Sequence, residues 1–269
     1  MPKLGLMIDA PDRYPGWDKF EQDLAVLAKL GFDGVELAIR DPAALDAERL
    51  AGLLARHGLE LLSWTTGRSY FEDHLCLTSA DDTVRARAVE RLSAHADFSA
   101  RFRGAVVVVG QMQGFGSDEP DRETANVRTV DCLRRVMPHA EPIGARFALE
   151  PVNRFEVGHN YTAAEVLPLV DRIGSPALDI MLDTFHINIE ENSLIEPFEL
   201  TAGRLRHLHV MDNHRGLFGA GHLDMAQILY ASLENGYREA WVCGSFGPES
   251  LEVRAGAVMD YLMRKGLRA

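Results

Sequence analysis

The chain alternates short apolar runs with longer amphipathic segments along its whole length. Eight of the apolar runs have the length of buried strands, and a loop-like segment or a helical pattern follows each one. Strands that alternate with helix-length segments are typical of repeated βα units and a parallel sheet. The predicted strands are residues 4–8, 33–38, 59–64, 105–109, 146–150, 178–183, 206–210 and 240–244.

The amphipathic segments between these runs predict helices. In WDKFEQDLAVLAKLG (17–31), apolar residues recur at spacings of three and four, and Gly31 stands at the expected C-terminal stop. LGFDGVEL (30–37) and NGYREAWV (235–242) both place a glycine and an aromatic residue between a helix and a strand, a weak internal repeat. Eight such units predict an α/β protein with a single (β/α)8 TIM barrel.

The length of the chain and its lack of linker-like segments favour one domain. It has 269 residues, 46% of them hydrophobic, which suffices for the core of one barrel. No Pro/Ser-rich linker or low-complexity tract divides it, so one domain over 1–269 is predicted. The most loop-like segment, GQMQGFGSDEPDRET (110–124), follows the fourth strand and is a candidate lid.

Composition narrows the possible partners. Forty acidic against twenty-eight basic side chains give a net charge of −12, which opposes binding to nucleic acid or to an anionic membrane. Cys76, Cys132 and Cys243 are widely spaced and form neither a disulfide framework nor a CxxC site, as in a reducing cytoplasm. The apolar run before Asp9 is too short for a signal peptide or a membrane span. A cytoplasmic protein is expected.

Side chains that can bind a metal stand at or near the ends of three successive strands. Strand five ends in Glu150, strand six ends in Asp183, and strand seven contains His207 and His209. The carboxyl ends of barrel strands meet on one face, where TIM barrels keep their chemistry. Two carboxylates and one imidazole suit Mn²⁺, Mg²⁺ or Co²⁺. A lone acid at a strand end more often caps a helix or pairs with an arginine, but three together favour a metal site.

The histidines differ in their expected roles. His207 and His209 point to the same side of their strand at different depths. His209 is nearer the C-terminal end and is the better ligand, whereas His207 is expected to be a hydrogen-bonded interior residue. His186, three residues after Asp183, could bond a hydroxyl group of a substrate or merely the helix that follows.

Three long motifs carry a family resemblance. ALEPVNRFE (148–156), LDTFHINIEE (182–191) and HLHVMDNHRGLFGAGH (207–222) resemble the ketose 3-epimerases, which include the D-tagatose and D-psicose 3-epimerases and have a xylose-isomerase-like TIM barrel. VELAIRDP (35–42) and LTSADDTVRARAVERL (77–92) are similar to the 5-keto-L-gluconate epimerase branch of this family. The resemblance therefore extends over nearly the whole chain.

The resemblance implies an activity and a set of site residues. It implies divalent-metal-dependent epimerisation or isomerisation of a keto-sugar or keto-sugar acid, with proton transfer through a cis-enediolate. Mn²⁺ is the expected cofactor, with Mg²⁺ or Co²⁺ as alternatives, and a homodimer or homotetramer is the expected assembly. Glu150 would be both a metal ligand and a catalytic acid/base. The implied metal ligands are Glu150, Asp183 and His209, and the implied substrate contacts are Glu156, His186 and Arg215.

One position departs from the family pattern. Gly244, in AWVCGSFGPES (240–250), stands where the family has a glutamate that is both the second acid/base group and the fourth metal ligand. Glu249 could reach back from the loop, but it is more simply an acid near the start of the last helix. Loss of one proton-transfer group can remove a factor of roughly 10² to 10⁴ in rate. A single base would favour same-face transfer, and therefore aldose–ketose isomerisation over inversion at C3.

Two further functions are open at this stage. The same barrel could be a non-catalytic sugar- and metal-binding protein, for which Gly244 is the main support. A related endonuclease acting on abasic DNA would need a richer His/Glu cluster and a basic groove, so it ranks last.

Arg215 and three further residues are candidates for the cleft. Arg215 follows a strand end among glycines, and could contact an acidic sugar or lie on the surface. Asp9, Glu36 and Trp64 stand at or near the ends of the first three strands, although Trp64 fits core packing equally well.

Overall fold

All eight predicted strands are present in the computed structural model, which describes residues 1–268, and their bounds differ from the prediction by no more than one residue. The strands are β1 Lys3–Asp9, β2 Gly34–Ala38, β3 Glu60–Thr65, β4 Val106–Val109, β5 Arg146–Leu149, β6 Leu178–Asp183, β7 Leu205–Val210 and β8 Ala240–Cys243. Each strand pairs in parallel with the next, and β8 pairs with β1 to close the barrel. The predicted TIM barrel is confirmed.

Ten α-helices lie in the same described part of the chain. They are α1 Trp17–Leu30, α2 Ala47–Arg56, α3 Gly67–Asp73, α4 Asp82–Ser99, α5 Arg122–Ala140, α6 Ala163–Ile173, α7 Thr184–Glu190, α8 Glu196–Leu200, α9 Met225–Glu234 and α10 Leu251–Arg264. Helix α1 ends as predicted at Gly31, whose φ of +87° is a left-handed conformation that glycine adopts without strain. No helix within residues 1–268 is long and apolar enough to cross a membrane.

The apolar residues form two kinds of core. The large core lies between the strands and the surrounding helices. Inside the barrel, small clusters fill the space, among them Leu62 with Ala240 and Val242. Gly34 permits this close packing, because a Cβ atom there would collide with the backbone oxygen of Glu60.

Above these apolar layers the barrel interior becomes polar. Glu36, His207 and His209 are almost completely buried inside it. Strands β5, β6 and β7 are neighbours in the barrel, so the residues at their carboxyl ends are brought to one side of its mouth.

Candidate active site

A cavity of about 320 Å³ opens at the carboxyl ends of the strands. Its lining comes from the strand ends, from the loops after β1, β4, β7 and β8, and from α7 and α10. This volume lies within the range of small-molecule sites. The chemistry of the cavity depends on which polar groups face it.

The three predicted metal ligands converge on one side of this cavity. The Nδ1 atom of His209 lies 3.7 Å from Glu150 Oε1 and 3.6 Å from Asp183 Oδ2. Asp183 ends β6 and uses its other oxygen, Oδ1, to accept a hydrogen bond of 2.8 Å from the backbone N–H of Phe185 at the start of α7. That cap fixes the carboxylate, so Oδ2 remains directed at the histidine. All three predicted ligands are buried.

Hydrogen bonds below the cavity orient the His209 ring. Its Nε2 atom lies 2.9 Å from the carboxylate of Glu36, which also accepts hydrogen bonds from His207 and Ser63. Nε2 therefore carries the proton that it donates to Glu36, and in the neutral ring Nδ1 keeps its lone pair for a metal. His207 is the hydrogen-bonded interior histidine expected from the sequence.

The buried charges shift the pKa values of these groups. Burial alone would raise the pKa of Glu36, but the charges and hydrogen bonds of His209 and His207 hold it well below its usual range. Burial alone would lower the pKa of His209, but the negative charge of Glu36 and the nearby carboxylates of Asp183 and Glu150 raise it well above the usual range. Without a metal, a proton on Nδ1 of His209 therefore balances the carboxylates of Asp183 and Glu150, and a bound cation would take its place.

His186 lies in the same cluster with the opposite ring orientation. Its Nδ1 atom accepts from the backbone N–H of Asn153 at 3.3 Å and from the Asn153 side chain at 2.7 Å. The two Asn153 contacts place the proton of the neutral ring on Nε2, which lies 3.6 Å from Glu150 Oε1 and 3.8 Å from Asp183 Oδ2. Nε2 also lies 3.2 Å from Nη2 of Arg215, and because a guanidinium only donates, that contact is not a hydrogen bond in this tautomer. His186 thus presents a donor to the site, which suits an oxygen of a substrate better than a metal ion.

Arg215 lines the cavity and is paired with Glu156, which is not itself among the lining residues. Arg215 Nη1 donates to Glu156 Oε1 at 2.7 Å, and Nη2 lies 3.7 Å from Asp183 Oδ2. The guanidinium also stacks 4.0 Å from the centre of the Phe185 ring. Arg215 has a φ of +51°, a left-handed conformation that is uncommon for arginine. The three predicted substrate contacts, Glu156, His186 and Arg215, are therefore neighbours of the predicted ligands.

The end of β8 contributes no carboxylate to this arrangement. A Cβ atom on Gly244 would collide with the side chain of Met211, which occupies the space where a longer side chain would begin. Within residues 1–268, Glu249 is not one of the side chains that line the cavity. One Glu249 oxygen is buried without a hydrogen-bond partner in the described chain and lies beside Gly247.

The other cleft candidates divide between the cavity and the core. Asp9 lines the cavity, Glu36 lies beneath it, and Trp64 is fully buried with Nε1 donating to His95 at 3.0 Å. Sequence reasoning missed several lining residues, among them Tyr14, Gln111, Phe246 and Arg254. Gln111 belongs to the candidate lid, but no motif distinguishes the others from surface residues.

Comparison with known sequences agrees with the fold. The xylose isomerase-like TIM barrel family matches residues 24–265. An L-ribulose 3-epimerase from Mesorhizobium japonicum is 32% identical over 236 residues, covering 87% of this chain and 78% of that protein. A ketose 3-epimerase from Arthrobacter globiformis is 32% identical over 220 residues, covering 80% of this chain and 74% of that protein.

Solved structures have the same architecture. A structure of L-ribulose 3-epimerase superposes with a TM-score of 0.86 at 28% identity, over 99% of this chain and 95% of that one. The D-allulose 3-epimerase of a Methylomonas species, solved with D-allulose, shares the fold with a TM-score of 0.86 at 24% identity, over 98% and 97% of the two chains. The chain belongs to the xylose isomerase-like TIM barrel family and, within it, to the ketose 3-epimerases, which are carbohydrate epimerases.

Proposed function

We propose that this protein is a divalent-metal-dependent epimerase or isomerase of a keto-sugar or keto-sugar acid that transfers a proton through a cis-enediolate. The observation that supports this most directly is the convergence of Glu150, Asp183 and the Nδ1 atom of His209 on one cavity. The relatives named L-ribulose 3-epimerase and ketose 3-epimerase give the substrate class.

The donor set fits a divalent cation. Two ligands at about 2.1 Å from one ion lie roughly 3 to 4 Å apart, which matches the separations of Nδ1 from the two carboxylates. Two carboxylates and one imidazole suit Mn²⁺ first, with Mg²⁺ or Co²⁺ as alternatives. When bound, the cation would act as a Lewis acid towards the ketone and would acidify the neighbouring C–H group.

The residues of the chain account for the remaining steps on one face of the substrate. Glu150 is the proposed base that removes the proton from the carbon next to the carbonyl, which leaves the cis-enediolate. His186 offers its Nε2–H to a substrate oxygen, and Arg215, held by Glu156, offers its guanidinium beside it. These donors would hold the substrate oxygens while the proton moves.

The missing carboxylate at Gly244 affects the predicted outcome. Inversion at C3 requires a proton to return on the opposite face, where Met211 lies in place of a β8 side chain. Glu150 can return the proton on the face from which it was removed. That route produces aldose–ketose isomerisation, so a slow epimerase or an isomerase is the expected catalyst.

A second candidate is a non-catalytic protein that binds a sugar and a metal. The observation that favours it is the same absence of a carboxylate at the end of β8 in the described structure. It predicts metal and sugar binding with no exchange of substrate protons.

Proton exchange in D₂O separates the two candidates. The protein, loaded in turn with Mn²⁺, Mg²⁺ or Co²⁺, is incubated with ketopentoses, ketohexoses and keto-sugar acids, and products are analysed by NMR and mass spectrometry. The proposed enzyme incorporates deuterium next to the carbonyl, and Glu150→Gln lowers the rate by roughly 10² to 10⁴. Incorporation that is equal in wild type and Glu150→Gln, or none on any substrate despite bound metal, would contradict the proposal.

A further inference from the structure

Arg254 lies on the β8–β1 side of the cavity, across the barrel from β5, the strand that precedes Glu150. It belongs to the first turn of α10 and lines the cavity together with Asp9 and Tyr14, near β1, and Phe246, after β8. The ligands come from the β5, β6 and β7 side of the barrel. Since β1 and β5 are diametrically placed in the closed barrel, the cavity extends from the ligands to Arg254.

The positive charge of Arg254 has no partner within residues 1–268. No carboxylate oxygen of that range lies within 4.0 Å of its guanidinium. Its Nε atom is buried and lacks a hydrogen-bond partner, and its Nη1 atom donates only to the backbone oxygen of Ser245. An unpaired guanidinium beside a cavity is unfavourable unless a ligand or water satisfies it.

Arg215 does not offer the same opportunity. Its Nε atom, like that of Arg254, is buried without a partner, but its Nη1 atom donates to Glu156 at 2.7 Å and its Nη2 atom lies 3.7 Å from Asp183. Its charge is therefore neutralised within the chain. An acidic sugar would gain more binding energy from an ion pair with Arg254, even though the sequence pointed to Arg215.

The end of β8 adds no acid to the neighbourhood of Arg254, where Asp9 is the carboxylate that lines the same side of the cavity. Gly244 has no side chain, and Met211 fills the adjoining space. A glutamate at this strand end would place a negative charge near the loop that Arg254 contacts through Ser245. The same departure that removes a catalytic carboxylate thus leaves a cation available.

We propose that Arg254 binds an anionic group, a carboxylate or a phosphate, at the end of the substrate remote from the reacting carbons. This inference rests on the proposed function for the orientation of the substrate, with its carbonyl at the metal ligands. A guanidinium can bind either anion through two parallel charge-assisted hydrogen bonds. The substrate class is then an anionic keto-sugar rather than a neutral ketose.

A purely structural role for Arg254 makes a different prediction. If the side chain serves only to hold the loop through the Ser245 oxygen, its replacement lowers stability without changing the preference among ligands. If it binds an anion, its replacement changes that preference. Ligand discrimination is therefore the decisive measurement.

Calorimetric titration of the metal-loaded protein provides the test. The probes are three unreactive polyols: D-glucitol is neutral, D-gluconate has a carboxylate, and D-glucitol 6-phosphate has a phosphate. The wild type is compared with Arg254→Met and Arg254→Lys, and with Arg135→Met as a control that removes one charge from the exposed surface of α5. Any binding of D-gluconate to the metal contributes to all forms, so the difference between forms reports on Arg254.

In Arg254→Met, we expect the affinity for at least one anionic polyol relative to D-glucitol to fall roughly ten- to hundredfold. Arg254→Lys should retain part of the preference, and Arg135→Met should retain all of it. The anionic polyol whose affinity falls more in Arg254→Met shows whether Arg254 binds a carboxylate or a phosphate. Equal discrimination in wild type and Arg254→Met, with both forms folded by circular dichroism, would overturn the inference. Loss of discrimination without any proton exchange would instead support the anion site and reject the proposed catalysis.

Discussion

The carboxylate of Glu36 lies 2.9 Å from Nε2 of His209, on the side of the imidazole ring away from Glu150 and Asp183. Glu36 is completely buried and accepts hydrogen bonds from two histidines and a serine. This arrangement fixes the proton on Nε2 and leaves Nδ1 of the neutral ring free to bind a metal. Glu36 is therefore a positioning residue for the proposed metal site.

Replacing Glu36 by Gln should weaken metal binding roughly ten- to hundredfold. The glutamine side chain has one acceptor oxygen and an NH₂ group, so it cannot accept from Ser63, His207 and His209 in the same way. His209 would then lose its fixed tautomer. Calorimetric titration with Mn²⁺ measures the change, and Glu60→Gln, which alters an exposed glutamate paired with Lys3, is the matched control. Unchanged affinity in Glu36→Gln would show that the hydrogen bond does not orient the ligand.

The two histidines of the site should respond differently to substitution. His209→Asn removes the proposed ligand and should reduce metal affinity by about a hundredfold or more. His186→Asn removes a donor to substrate, so kcat/KM should fall about ten- to hundredfold while metal affinity changes less than about threefold. Metal titration and D₂O exchange on both variants distinguish the roles. An equal loss of metal affinity in the two variants would make His186 a ligand.

Replacing Gly244 by glutamate should tighten metal binding only if the Met211 side chain moves or is removed. The φ of Gly244 is not in the left-handed range, so the backbone tolerates a side chain, but the new Cβ collides with Met211. Gly244→Glu alone should therefore destabilise the fold by about 1–3 kcal/mol. In a Met211→Ala background the same substitution should cost less and raise C3 deuterium exchange.

Urea denaturation, metal titration and exchange on the four forms measure these effects. Met211→Ala is the control for the double variant, because removal of a buried methionine is destabilising by itself. A stable, metal-loaded double variant with no gain on any keto-sugar would show that the missing carboxylate does not limit this protein.

The acid stability of the barrel should depend on His95. This residue is fully buried and accepts a hydrogen bond from Trp64, and burial, with a smaller effect of the Arg91 charge, lowers its pKa to about 3. Because the folded pKa lies below the unfolded value, the stability contributed by neutral His95 is complete above about pH 6.5 and is lost as the pH falls towards 3. The loss amounts to at most about 1.4 kcal/mol per pH unit.

His95→Asn keeps an acceptor for Trp64 and cannot become charged. Its free energy of unfolding should therefore decrease less than that of the wild type between pH 6.5 and pH 4.5. Urea denaturation at three pH values in this range gives the slopes. Parallel slopes for the two proteins would rule out His95 as the titrating group.

The alternation of apolar runs and amphipathic segments was sufficient to predict the barrel. A buried parallel strand reads as a short apolar run, and eight of them in alternation with helices close in only one common way. The strand ends then directed attention to Glu150, Asp183 and His209, because the carboxyl ends of neighbouring strands meet in space. The structure brings these residues together.

The sequence by itself therefore determined the fold class, the chemical types of the strand-end residues and the departure at Gly244. Only the tertiary structure decided how those residues are used. The proton positions on His186 and His209 depend on Asn153 and Glu36, which are far away in the chain. The exposure of Arg254 to the cavity depends on the packing of a helix against a loop, and no local pattern encodes which face of that helix meets the site. The orientations of these side chains and their hydrogen-bond partners arise from contacts between segments that are distant in the sequence. They can therefore be read only from the folded chain.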